Sequence, residues 1–446
     1  MSSALKALRL PRLSQAAILN DTPEYADQIQ EWNTQSLQVV QELQQLLSQE
    51  DVVLLLPEDI AVVFAISVPL SSEEQWIDGS LRVVAESLYT QLPAPTLDVI
   101  TSVLTYHVKP CFIKNPHSRI NVESGRKLHR AAGGSAGVTD FYEDQEWKNY
   151  PWIGHILHWC IKHLNSEDYE RLWPLVIPPS MTLLDDYEIY SKLNGVWVIS
   201  EMLVNVPPIL LKRTGIDGLL KTVELLFTAL LCFWFIQLQS LKSTTLHLHS
   251  PLTPQLIRTS IPAFITLTNI TTTDGSRERF DELSTLLGDN ILGGIWLYAY
   301  NEYATLEVSI LALPAVLEEL GIGSVRFLKP IISQLIHNIT EVPTIEASCA
   351  MQVASVALLE FLMNTYCERI FHWSGFIAEG FARCWVALQE SSLVSKTVDL
   401  RQALKQACAT LMEVCPSVVQ NEYKQLLSCD SDMFGRLLPT TIMQQC

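Results

Sequence analysis

Three groups of residues carry the side-chain types from which active sites and metal centres are built. His155, His158 and His163 share one short stretch, WIGHILHWCIKHL, with Cys160. A helical zinc site needs ligands one turn apart on one face, with an acid between them in HExxH. Here the first two histidines stand at i and i+3, no acid separates them, and Cys160 points elsewhere. The stretch reads as a packing helix, and no metal is expected. GRKLHRAAGGSAG, from Gly125 to Gly137, sets glycines beside basic residues. A phosphate loop needs Gly-Lys-Ser/Thr between a strand and a helix, so that backbone N–H groups and the lysine converge on phosphate. The order is wrong and no strand is evident. Arg126, Lys127, His129 and Arg130 still have the donors to capture an acidic or phosphorylated segment of a partner. Their alternative role is a solvated loop offsetting an acidic body.

The third group is Asp185-Asp186. Adjacent carboxylates at a helix end rarely converge on one atom, and no histidine lies near them in sequence. Asp186 is expected to cap the helix that follows. No nucleophile elbow or papain-like cysteine setting occurs. The chain is therefore expected not to be an enzyme, and no catalytic residue, cofactor or metal ligand is assigned.

What must position these groups is helical. Pro178 to Gly218 reads as two helices with Asp185-Asp186 in the short corner between them. Neither helix can satisfy its apolar face alone, which is the logic of a helical repeat. Upstream, Trp32, Val39, Val40, Leu43, Leu46 and Leu47 form one stripe, and Val52 to Leu70 reads as a buried helix broken at Pro57. Helical patterns continue over Trp76 to Leu92 and Leu97 to Val108. His107 to Val138 then holds six Lys or Arg against Glu123 alone. Leu225 to Leu238 is nearly all apolar but shorter than the ~20 residues of a bilayer span, so a core helix is expected.

Downstream, helices are expected over Glu278 to Tyr300, Tyr303 to Leu320, Ser324 to Ile339, Ile345 to Tyr366, Trp373 to Gln389, Leu400 to Val414 and Val418 to Leu427. The fold class is thus all-α, a HEAT- or armadillo-like α-solenoid of divergent repeats. Residues 1–20 read as a flexible leader with a faint likeness to a transit peptide. Residues 21–165 read as an N-terminal helical region with the basic loop near 109–138, and 166–446 as a repeat region continuous with it.

Composition narrows the function classes. A net charge of −18 on 446 residues opposes bulk binding to nucleic acid or acidic lipid. Charged residues make up only 17% and there are eleven Trp, which leaves neutral, anchor-rich surface suited to protein partners. Ten scattered Cys without a CxxC pair fit buried thiols in a reducing compartment.

Several ordered blocks resemble the Tel-two-interacting protein two family, a subunit of the Triple-T (TTT) cochaperone complex. The central one is TLLDDYE (Thr182 to Glu188), followed by Gly195 and LLKRTGID (Leu210 to Asp217). Upstream stand NPHSR (Asn115 to Arg119), GRKL (Gly125 to Leu128), DQEWK (Asp144 to Lys148) and HWC (His158 to Cys160). Downstream stand ILGG (Ile291 to Gly294), LGIGSVRFLKPII (Leu320 to Ile332) and FARCW (Phe381 to Trp385). The resemblance implies an all-helical HEAT-like scaffold without catalytic residues, joined to the two other TTT subunits. It implies a role, with the Hsp-ninety chaperone machinery, in maturing phosphatidylinositol-3-kinase-related kinases (PIKKs) of DNA-damage and nutrient signalling, in cytoplasm and nucleus.

Partner-interface or family-motif candidates are Gly125, Arg126, Lys127, Trp147, Leu184, Asp185, Asp186, Arg213, Gly215 and Trp385. Asp185 and Asp186 are expected to turn the corner, and Arg213 with Gly215 to shape the exit from the pair. The Leu-rich stretch 227–261 departs from the family pattern, as an insertion or a gene-model error. Two other classes remain: an armadillo-type transport or cargo adaptor, and a nucleic-acid module using Lys109 to Arg130.

Overall fold

The apolar periodicity is helical nearly everywhere, and the backbone follows it. The computed structural model describes residues 2–20, 22–48, 55–129, 145–221, 250–343, 345–390 and 397–439. Among these the chain is all-α, with one isolated antiparallel bridge between Ile120 and Lys127. It divides into two compact units, Met1–Ala229 and Leu230–Cys446.

In the first unit, α1 (Ser2–Ala7) and α2 (Gln15–Leu19) precede α3 (Pro23–Leu47), whose buried stripe is Trp32, Ser36, Val40 and Leu43. The segment expected as a flexible leader is instead packed. Leu5, Leu13 and Ala17 are buried, and Trp32 Nε1 donates to Pro11 O at 2.9 Å. Its alternating leucines supply an apolar face, and burying each is worth about 1.5–3 kcal/mol. Next, α4 (Pro57–Leu70) is buried around almost its whole circumference. Pro57 does not break this helix but opens it, because a first-turn residue needs no N–H partner. It packs against α5 (Gly79–Thr90), α6 (Leu97–Val103) and α7 (Ile153–Lys162).

The corner pair follows as α8 (Tyr169–Leu184) and α9 (Ile189–Asn205), then α10 (Pro208–Thr214) and α11 (Ile216–Lys221). The helix before the corner is longer than its apolar run implies. It passes through Pro174, Pro178 and Pro179, which neighbouring packing tolerates where propensity would not.

The second unit alternates long helices. These are α12 (Thr253–Thr271), α13 (Arg277–Thr285), α14 (Tyr303–Leu320), α15 (Leu328–Thr340), α16 (Glu346–Thr365), α17 (Ser374–Glu390), α18 (Val398–Val414) and α19 (Lys424–Cys429). Five of the seven expected C-terminal helices are present as α-helices, and the other two, over Glu278 to Tyr300 and Val418 to Leu427, are partly i→i+5 turns. After α13 the chain widens into i→i+5 turns over Leu286–Ile295, and Gly321–Phe327 tightens into a 3-10 turn before α15. Helix α12 packs on α14, α14 on α16 and α16 on α18, while α15 packs on α17. Segments within Tyr303–Thr340 and Glu346–Thr365 are long and apolar enough to cross a membrane by length and composition. Here α14 and α16 contribute to this row of helices. The apolar run 225–238, and the Leu-rich stretch as far as residue 249, lie outside the described residues.

Candidate functional site

Most of the candidate residues converge on the α8–α9 corner. Gly195 on α9 faces the end of α8 so closely that a Cβ there would stand 2.5 Å from Leu184 N and 2.6 Å from its Cα. Only a glycine lets the two backbones approach this far. Asp185 ends α8 as its C-cap. Asp186 does not cap α9, contrary to expectation. The N-cap position is Glu188, without a side-chain cap bond, and Asp186 is wholly buried. The corner runs two residues further than the sequence pattern indicates, which turns the Asp186 carboxylate inward.

Inside, Lys148 Nζ lies 2.9 Å from Asp186 Oδ1. The contact is one of opposite charges and not an aligned hydrogen bond. The same ammonium sits 3.9 Å above the Tyr187 ring and 5.5 Å from that of Trp147. Trp147 is buried and stacks on Phe112 with centroids 5.8 Å apart. Burial raises the Asp186 carboxyl above its ordinary range, outweighing the Lys148 charge that opposes it. Burial likewise lowers the Lys192 ammonium, against the pull of Asp185 and Asp186.

Asp185 shifts the other way. Burial disfavours its charge, but the bond from His117 and the nearby Lys192 and Arg119 outweigh it and lower the carboxyl. His117 Nε2 stands 3.1 Å from Asp185 Oδ2, and its Nδ1 accepts from Arg119 N at 3.2 Å. That second bond assigns the ring proton to Nε2. With one nitrogen given to the carboxylate and the other to a backbone amide, the ring has no site left to serve a substrate. The pair resembles half a catalytic dyad and works as a strut.

A strap from Ile113 to His129 closes over this corner. Gly125, at φ +64°, adopts a left-handed conformation. A Cβ on it would stand 2.7 Å from Trp173 Cδ1, and its carbonyl accepts from Trp173 Nε1 at 3.0 Å. Lys127 N donates to Thr214 O at 2.9 Å, Leu128 N to Arg119 O at 2.8 Å and Asn121 N to Arg126 O at 2.9 Å. Gly215 ends α10 in the left-handed region, the usual helix stop, beside the Lys127 side chain. Arg126, Lys127 and His129 are exposed; Arg130 and Gly133 to Gly137 lie outside the described residues. Arg213 Nη2 meets Glu170 Oε1 at 2.7 Å in the open. Glu146 N donates to Asn115 Oδ1 at 3.3 Å, and Glu146 receives both Arg12 and Lys114.

Nine of the ten candidates therefore belong to the first unit, at this corner and its strap. Trp385 lies in the second unit, where its Nε1 donates to Met433 O at 3.2 Å. Sequence reasoning missed His117 as the partner of Asp185, and Trp173 as the strap's anchor. His117 lies in the NPHSR block, whereas Trp173 carries no local signal.

The side chains of the histidine helix are engaged in local contacts. His155 Nε2 meets Glu74 Oε1 at 3.0 Å, and His163 Nδ1 bonds Trp159 O at 2.8 Å. His158 stacks on Trp197 at 3.8 Å, with Glu201 Oε2 3.5 Å away. Burial, helped by His155 and Lys162, lowers His158 to about 4. Burial holds the Cys160 thiol protonated. No group of three or more His, Cys, Asp or Glu positioned to hold a metal ion occurs among the described residues.

Comparison with known proteins places these observations. The sequence model of the Tti2 family matches residues 62–233 and 237–346, a span that includes the whole corner and strap. The match is interrupted only at 234–236, so most of the Leu-rich stretch falls inside it. The TELO2-interacting protein 2 of Homo sapiens is 31% identical over 68 residues, which is 15% of this chain and 13% of that protein. Its Rattus norvegicus counterpart is 27% identical over 63 residues, 14% of this chain and 12% of that protein. The matched segment thus spans about an eighth of these relatives' length. No solved structure matches.

Proposed function

The chain belongs to the Tti2 family, and from that premise we propose that it is a non-enzymatic scaffold subunit of the Triple-T cochaperone complex. In this reading it joins the two other subunits and, with the Hsp-ninety machinery, supports folding, assembly and stability of PIKK-type kinases in cytoplasm and nucleus. The observation that carries it is the family match together with the corner. There NPHSR, DQEWK, GRKL and LLKRTGID are fastened to TLLDDYE and to one another, His117 to Asp185, Lys148 beside Asp186 and Lys127 N to Thr214 O.

The repeat character supports the scaffold reading. In the second unit α12 packs on α14, α14 on α16, α16 on α18 and α15 on α17, an alternation expected of stacked HEAT-like pairs. Such a stack displays long surfaces on which partners assemble, and exposed apolar residues such as Leu311, Ile322 and Phe371 are available for that purpose.

The test is a pull-down of the tagged full chain from cells, read by mass spectrometry. Recovery of the two other subunits and of PIKK-type kinases is the expected result. If neither is recovered from cells expressing them, the reading fails. Recovery of nuclear-import factors instead would favour the cargo-adaptor class.

A further inference from the structure

The strap that closes the corner presents cations that make no ion pair among the described residues. Arg126, Lys127 and His129 on the strap, and Lys212 on α10, are all exposed. None makes an ion pair among the described residues. In a chain with 48 acids against 30 Lys and Arg, such a cluster runs against the composition. A fixed cluster of one sign on a chain of the opposite sign attracts acidic ligands to that one place.

The frame is ordered. The backbone on either side of Arg126 is tied by Gly125 O to Trp173 Nε1, Arg126 O to Asn121 N and Lys127 N to Thr214 O. The last of these bonds seats the strap directly on the end of α10. The Lys127 stem lies across Gly215, and its Nζ would stand 3.9 Å from a Cβ at Gly218. The Lys127 stem is thereby held along the surface of α10 and α11, which keeps its ammonium near the Lys212 face. On α10, Ile209 is 78% exposed and stands three residues before Lys212 and four before Arg213, on the same face. Arg213 is already held by Glu170 and defines one edge.

The geometry points to this surface, the strap cations with the Ile209–Lys212 face of α10, as a docking site for an acidic, carboxylate-rich segment of a partner protein. Charge complementarity sets the sign of the ligand, and Ile209 adds an aliphatic contact that suits a peptide carrying one apolar residue among its acids. A single-stranded nucleic acid fits less well. Its bases need aromatic platforms, and the exposed large residue on this face is an isoleucine. The inference concerns a binary contact of this chain and does not depend on membership in the Triple-T complex.

The test uses the full chain and fluorescence anisotropy. The probe is a labelled peptide of Asp and Glu around one central Leu, compared with its Asn/Gln counterpart and with labelled oligo-uridine. Saturable binding of the acidic peptide is expected, absent for the neutral one and weaker for the RNA. Arg126→Glu with Lys127→Glu should weaken it about tenfold or more, and Ile209→Ser about threefold. Because these side chains are exposed, thermal midpoints should stay unchanged, which separates lost binding from lost fold. Three results would overturn the proposal: no binding at low salt, binding indifferent to the charge reversal, or tighter binding of the RNA. Binding seen only after Asp140, Glu143 and Asp144 are neutralised would assign the surface to the chain's own acidic stretch and equally overturn it.

Discussion

The corner of the first unit and the helix row of the second use helices of similar length but fasten them differently. At the corner, contacts are directional and join distant segments: His117 to Asp185, Trp173 to Gly125, Lys127 to Thr214, Lys148 beside Asp186. In the row, α12, α14, α16 and α18 meet through apolar stripes. Many of their buried hydroxyls, such as Ser260, Thr271 and Ser355, bond back to their own helix. Apolar burial decides that helices pack; directional buried contacts decide which segments meet. The corner is thus where specificity is concentrated, and the row is where stability accumulates.

The largest effect should come from glycines. Gly195→Ala drives a methyl into Leu184 backbone and should cost about 3 kcal/mol, whereas Gly380→Ala meets the Ile336 Cδ1 end at 2.5 Å and should cost about 1 kcal/mol. Urea unfolding, with hydrogen exchange resolved by segment, compares the two units. Equal costs would break the distinction.

Next comes the buried charge. Lys148→Met leaves Asp186 without its opposite charge and should destabilise by about 3 kcal/mol, while adding Asp186→Leu should recover most of that. The sign with pH is defined because burial raises the Asp186 carboxyl. A raised acid is favourable below its unfolded pKa and loses that contribution as pH rises through the folded value. The Lys148→Met defect should therefore be smallest in acid and grow as pH rises. A pH-independent defect would mean that lost packing, not charge, is responsible.

His158 sharpens the contrast more gently. Its folded value of about 4 lies below the ordinary 6.5, so the unfolded chain takes up the proton first as pH falls. The neutral ring's contribution is complete above 6.5 and is lost between 6.5 and about 4, on the order of 3 kcal/mol in all. His158→Phe keeps a ring against Trp197 and should flatten that decline in a series of melts. The smallest effect belongs to Arg213→Ala. Its exposed pair with Glu170 should be worth under about 0.5 kcal/mol, and a larger loss would extend the corner's specificity to its rim.

Much of the second unit is legible in the sequence: Tyr303 to Leu320 is helical to the residue and four further helices lie within a few positions, whereas Glu278 to Tyr300 and Val418 to Leu427 are partly i→i+5 turns. Its apolar stripes repeat at helical spacing and its breaks hold Gly or Pro. The corner was legible only as motifs. Asp186 looked like a cap because acids before helices usually are, and its burial depended on Lys148, nearly forty residues upstream. Leu5, Leu13 and Ala17 were passed over because a short basic segment with Pro11 shows its apolar face only once a neighbour covers it.

What the sequence by itself determined is local: helical periodicity, Gly215 at a helix end, and an acidic body with one basic strap. These follow from hydrogen bonds and sterics within a few residues. What only the tertiary structure decided is pairing. His117 meets Asp185, Trp173 holds Gly125, and Gly195 lets α9 close on α8 because the path of the chain brings them within reach. Contact across so many residues depends on every intervening turn, so no window of sequence contains it.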